Sequence, residues 1–171
     1  GWNFGELFGQ RTGKGGFQKI YVHKGLGANG TDRCLAMDFR LGDMRMKQTK
    51  SHRLPIALVI NRLKRDLTGY SGIKFYVRAN KDLHIVFGLA DGETGANGEE
   101  RWNRVLALTG GWEKMRIPFD SLLLVKSRAL KQGTNQVLEL SKIEAIHWVV
   151  HGRNVPVGTE GKIYLDEIFF Y

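Results

Sequence analysis

Apolar residues recur at every second position along most of this 171-residue chain. Ile73, Phe75 and Val77 alternate with Lys74, Tyr76 and Arg78, and Leu83, Ile85, Phe87 and Leu89 alternate with His84, Val86 and Gly88. Met115 and Ile117 alternate with Lys114 and Arg116, while Ile146, Trp148 and Val150 interleave with His147, Val149 and His151. A strand sends successive side chains to opposite faces, whereas a helix needs a period near 3.6. No window of helical length shows that second period. Val105 and Ala107 sit between Arg104, Leu106 and Leu108, which reads as a strand apolar on both faces. Glycine-rich breaks at 92–98, 110–111 and 152–161 separate these runs. Short strands joined by glycine turns predict an all-β fold of two antiparallel sheets.

The first third is less regular. Residues 34–39 and 54–63 read as strands, 25–30 as a loop, and 45–53 as an exposed basic connection. Pro118 opens a short helical turn within 119–130, and 140–143 forms another turn. With no internal repeat, low-complexity tract or linker, residues 1–171 are expected to form one domain.

Composition narrows the function. No apolar run approaches the roughly 18 residues of a membrane span. The formal charge of +9 favours acidic partners, but the basic residues are dispersed rather than gathered in one short run. That dispersal argues against nucleic acid. Cys34 is the sole cysteine, so no internal disulfide and no zinc-ligand spacing exist, and it reads as a small buried strand residue. No nucleophile elbow, P-loop or HExxH motif occurs, and no carboxylate pair stands out as an acid/base couple. A non-enzyme is expected. The N-terminus lacks the basic and apolar regions of a signal peptide.

Several segments in fixed order resemble the galactose-binding-like jelly-roll β-sandwich. These are the stretch from Leu67 to Arg78, then Glu100-Arg101-Trp102, then Trp112 with Ile117-Pro118-Phe119. The pattern continues through residues 138–143 and Ile146-His147-Trp148 to Gly161 and Leu165-Asp166-Glu167-Ile168. It is similar to carbohydrate-binding modules of the family 11 type and to the complex I intermediate-associated protein 30 family, and it spans roughly residues 67–171. The resemblance implies a non-catalytic module that binds a polysaccharide on its concave sheet and targets an attached enzyme, as a glycoside hydrolase accessory domain does. It also implies an extracellular or periplasmic location. The alternative implied by the second family is an assembly or scaffold protein that binds protein partners.

By the same resemblance, the ligand-contacting positions fall on His147, Glu144, Glu99, Arg101, Lys126, Ser127 and Arg128. Trp102 is a candidate stacking platform, whereas Trp112 and Trp148 fall where the family buries them. Tyr21 and Tyr70 are further aromatic candidates. A tyrosine of the family falls on Val150, and basic groups stand where aromatics are expected, which points to an anionic polysaccharide. Lys74, Tyr76, Arg78 and His84, on the polar faces of strands, are candidate companions. Asp166, with Glu6 as its N-terminal partner, is the candidate for a structural calcium. The competing reading is that Asp166 hydrogen-bonds a neighbouring turn. The family's Asp-Phe-Glu opening is absent: the chain begins Gly1-Trp2-Asn3-Phe4.

Overall fold

A computed structural model describes residues 12–43, 54–62, 64–92, 100–125 and 136–171. Ten strands are assigned there: β1 (Phe17–Lys24), β2 (Arg33–Arg40), β3 (Ile56–Asn61), β4 (Gly72–Ala79), β5 (Leu83–Asp91), β6 (Glu100–Leu108), β7 (Glu113–Pro118), β8 (Leu123–Leu124), β9 (Ile143–His151) and β10 (Glu160–Phe170). They form two five-stranded antiparallel sheets. The first has the order β3-β9-β5-β6-β8 and the second the order β1-β2-β10-β4-β7. The chain passes from sheet to sheet after β2, β3, β4, β6, β7 and β9, so neither half of the sandwich is a contiguous stretch of sequence.

The alternation seen in the sequence is the alternation of burial. From β4, Ile73, Phe75 and Val77 enter the core, and from β5 Ile85, Phe87 and Leu89 meet them. Trp148 of β9 is fully buried at the centre, edge-on to Phe75 at 5.4 Å and tilted against Phe87 at 5.6 Å. Such edge-to-face packing suits the ring quadrupoles and adds to the apolar area removed from water. The ambiguous strand β6 resolves in one direction. Leu106 and Leu108 are buried, whereas Val105 is 56% exposed.

One expectation needs correction here. Trp112 does not join the main core. It lies half-buried on the outer face of the second sheet, against the small cluster of Cys34, Ala36 and Tyr164. The short helical turn expected after Pro118 is present as a three-residue 3-10 turn, Phe119–Ser121, which leads into β8. The basic connection read at 45–53 lies outside the described residues.

At one side of the sandwich the two edge strands β1 and β3 approach each other. Gln18 of β1 bridges them: its side-chain amide donates to the Leu58 carbonyl at 2.8 Å and accepts from the Leu58 N–H at 2.8 Å.

Candidate functional site

The outer face of the first sheet carries a shallow pocket of about 130 Å³. Its floor is aliphatic. Ile56, Leu58 and Ile60 come from β3, Ala145 and Val149 from β9, and Val86 and Ala90 from β5. Period-2 geometry places them there, because the alternate residues of the same strands (Ala57, Val59, Ile146, Trp148, Phe87) fill the core. The polar lining is Arg62, Arg101, Asn103, His147 and His151. Among the described residues, no carboxylate and no phenyl, phenol or indole ring lines it.

One cross-strand row organises this surface. His147 of β9 stands opposite Gly88 of β5, and Gly88 stands opposite Asn103 of β6. The imidazole lies across the glycine, and its Nε2 reaches Asn103 Oδ1 at 3.1 Å. A Cβ at Gly88 would fall 2.4 Å from His147 Nε2 and 2.1 Å from Asn103 Oδ1, so only glycine leaves room for the pair. His147 is 6% exposed. Burial, and then the positive Arg101, push its pKa down to about 3, so the ring is neutral at physiological pH. With Nε2–H donating to Asn103 Oδ1, the Asn103 amide group is fixed in orientation. His151 is also held toward the neutral form, by burial and by Arg153, and its Nδ1 accepts the Arg153 N–H at 3.0 Å.

Solved structures with this architecture include carbohydrate-binding modules. A family 11 carbohydrate-binding module from Clostridium thermocellum, in complex with a β-1,3-1,4-mixed-linked tetrasaccharide, matches with a TM-score of 0.68 and 18% identity, over 99% of this chain and 86% of that one. The fold is that of these modules. The family 11 module of a cellulosomal cellulase from the same organism matches equally well, over 99% and 85% of the two chains. A family 30 carbohydrate-binding module matches at TM-score 0.60 and 16% identity, over 100% and 92%. By sequence, no protein-family model and no curated protein matches.

Within this module fold, the residues singled out from sequence separate. His147 and Arg101 line the same pocket, and Arg62, Asn103 and His151 join them without having been anticipated. Their signal was available in part: Asn103 is two residues from Arg101 on one strand, and His151 four from His147 on another. Glu144 turns away at the register shift beside Ala90 and Asp91, and lines a neighbouring cleft with Lys64, Arg65 and Gly92. Trp102 packs against the core and offers no stacking platform on this face. Tyr76 and Arg78, with Lys74, project from β4 on the outer face of the second sheet, on the opposite side of the sandwich. Tyr21 lies on that side too, bonded to Asp38 at 3.0 Å, and Tyr70 packs against Phe170. His84 is exposed on β5, outside the pocket lining. Glu99, Lys126, Ser127, Arg128 and Glu6 lie outside the described residues.

Asp166 has a defined task. Its Oδ2 accepts the Ala28 N–H at 2.8 Å and the Thr31 hydroxyl, and its Oδ1 accepts the Glu167 N–H at 2.8 Å. Both oxygens face protein donors, which pins the turn between β1 and β2. Among the described residues, no group of three or more His, Cys, Asp or Glu gathers as a metal site.

Proposed function

We propose that this chain is a non-catalytic module that binds an acidic polysaccharide on the outer face of the first sheet and holds an attached enzyme close to that polymer. The observation that carries the reading is the pocket lining: an aliphatic floor flanked by Arg62 and Arg101, with no carboxylate among the described residues. The apolar face of a sugar ring packs on Leu58, Ile60 and Val149. Arg62 and Arg101 take carboxylate or sulfate groups, for which the planar guanidinium provides paired donors. Asn103, oriented by neutral His147, offers its NH₂ to a hydroxyl. Aliphatic floor in place of aromatic rings gives up stacking, so charge carries more of the affinity than it would for a neutral glucan.

Catalysis does not suit this surface. Glycoside hydrolysis uses two carboxyl groups flanking the scissile bond, and the pocket presents none among the described residues. The benefit to a tethered enzyme is local concentration on the substrate. Such a role belongs outside the cytoplasm, in an extracellular or periplasmic setting.

The test is binding of the wild type and of Arg62→Gln/Arg101→Gln to polygalacturonate, heparin and mixed-linkage β-glucan at low and high salt. We expect saturable binding to the acidic polymers, weakened at least tenfold in the double variant. That follows from the roughly 1.5–3 kcal/mol that a hydrogen bond to a charged group contributes. Tighter binding to the neutral β-glucan overturns the acidic specificity. Absence of binding to all three polymers overturns the sugar-binding reading and favours a protein partner.

A further inference from the structure

The second sheet also presents an ordered surface, on the side facing away from the pocket. Cross-strand pairing sets Arg116 of β7 directly opposite Lys74 of β4, and Lys114 directly opposite Tyr76. On the other flank of β4, Lys74 faces Phe169 of β10, and Arg78 faces Tyr164. Each cation lies over a ring. Arg116 is 4.2 Å from the Tyr171 centroid, Lys74 is 5.8 Å from Phe169, Arg78 is 5.8 Å from Tyr164, and Lys114 is 5.9 Å from Tyr76. Among the described residues, none of Lys74, Lys114 and Arg116 has a carboxylate within ion-pair distance.

Like charges placed directly opposite across two strands destabilise a sheet. The acids of this face do not relieve Arg116 and Lys74. Asp38 is engaged by Lys162 at 2.8 Å and by Tyr21, and Asp166 holds the β1–β2 turn. Glu167 bonds Asn29 at 2.9 Å and shares a cleft of about 160 Å³ with Lys74, Tyr76 and Lys114. A cluster of cations kept together at a cost in stability, and steered by rings, is complementary to a ligand with closely spaced anionic groups.

We propose that the outer face of β10, β4 and β7 is a second binding surface, which takes the sulfate or carboxylate groups of an acidic polysaccharide on Lys74, Arg78, Lys114 and Arg116. Neighbouring strands stand about 4.8 Å apart and alternate residues about 7 Å apart, so the four cations form a compact grid. The rings decide between polymer classes. Single-stranded nucleic acid is held largely by bases stacking on open aromatic faces. Here Tyr76, Tyr164, Phe169 and Tyr171 each support a cation on that face, so the surface presents charge rather than stacking platforms. This surface stands on its own residues and does not depend on the pocket of the first sheet. Because the two faces lie on opposite sides of the sandwich, one module with both sites bridges two polymer segments.

The experiment compares wild type, Arg62→Gln/Arg101→Gln, Lys74→Gln/Lys114→Gln/Arg116→Gln, and the combination of all five changes. Calorimetry with heparin and polygalacturonate reads affinity and stoichiometry at two salt concentrations. Expected is residual binding in the double variant that drops at least tenfold when the triple change is added, with a shallower salt dependence. A charge-keeping variant, Lys74→Arg/Lys114→Arg/Arg116→Lys, retains that binding and guards against a folding defect. Loss of all binding in the double variant alone, or a triple variant that binds like wild type, overturns the second surface. If the triple change abolishes binding and the double change has no effect, this surface stands and the first-sheet reading falls. Tighter binding to single-stranded oligothymidine or to phosphatidylserine vesicles than to heparin, at equal salt, overturns the polysaccharide assignment.

Discussion

Replacing His147 by glutamine should change how stability responds to acid, and the structure gives the size of the effect. His147 is buried and neutral, with its pKa pushed from 6.5 down to about 3. The unfolded chain therefore binds a proton that the folded one refuses, and stability is lost as pH falls from about 6.5 towards about 3. Each pH unit in that window costs about 1.4 kcal/mol. Asp91 acts in the opposite sense. Burial lifts its pKa from 3.8 to about 6; the Glu139 N–H, at 2.6 Å from Oδ2, works against that rise, and the nearby Glu100 adds to it. A raised carboxylate favours the folded state as it protonates, so its contribution improves as pH falls from about 6 to about 4. The two slopes oppose each other over that window. In His147→Gln the histidine slope disappears, while the amide still donates to Asn103. The difference in stability between variant and wild type should thus shift by about 2–3 kcal/mol between pH 6 and pH 4, or about 5–10 °C in melting temperature for a chain of this length. Urea unfolding followed by tryptophan fluorescence at pH 4, 5, 6 and 7 reads it. A difference that stays constant across this range refutes the buried, neutral His147.

Further outcomes follow from single contacts. Asp91→Asn, read by the same denaturation series, should raise stability above pH 6 by up to about 3 kcal/mol and leave it unchanged near pH 3. Gly88→Ala forces a methyl against His147 and Asn103 and should destabilise by about 1–3 kcal/mol. It should also weaken acidic-polysaccharide binding, measured by calorimetry. Asp166→Ala frees the Ala28 N–H and the Thr31 hydroxyl, at a cost of about 1–3 kcal/mol. Its melting temperature should fall equally in excess calcium and in excess chelator if hydrogen bonding alone is its task; a fall confined to calcium-loaded protein would place an ion at this site. Trp148→Ala empties the centre of the core and should cost about 3–5 kcal/mol in chemical denaturation.

The strands whose alternation was clearest in the sequence are those whose two faces differ in kind. β4, β5, β7 and β9 each show apolar residues on the core side at period 2. β1 was missed because an edge strand half-exposed on both faces, with Gln18 and Lys19 beside Ile20 and Tyr21, carries no clean alternation. The same limit applies to the site. Period 2 tells that Tyr76 and His147 both point away from a core, but not that they belong to opposite sheets. That assignment depends on strand order, and the chain changes sheet between β4 and β5. Trp112 was misread for a related reason: a large ring in a strand region suits the core by size alone, yet Cys34, Ala36 and Tyr164 provide an apolar patch on the outside. Gly88 shows what sequence withholds altogether, because its meaning lies in the imidazole that crosses it from another strand.

The bridge made by Gln18 bears on how this protein behaves when crowded. β3 is the free edge of the first sheet, and an exposed edge offers its backbone N–H and C=O groups to any passing strand. At Leu58 both groups are already taken by one side-chain amide. Gln18 thus imitates a peptide unit of a neighbouring strand and closes the docking position that edge-to-edge assembly would use. A modest polar residue, invisible to any hydrophobic pattern, occupies one pairing position on that edge.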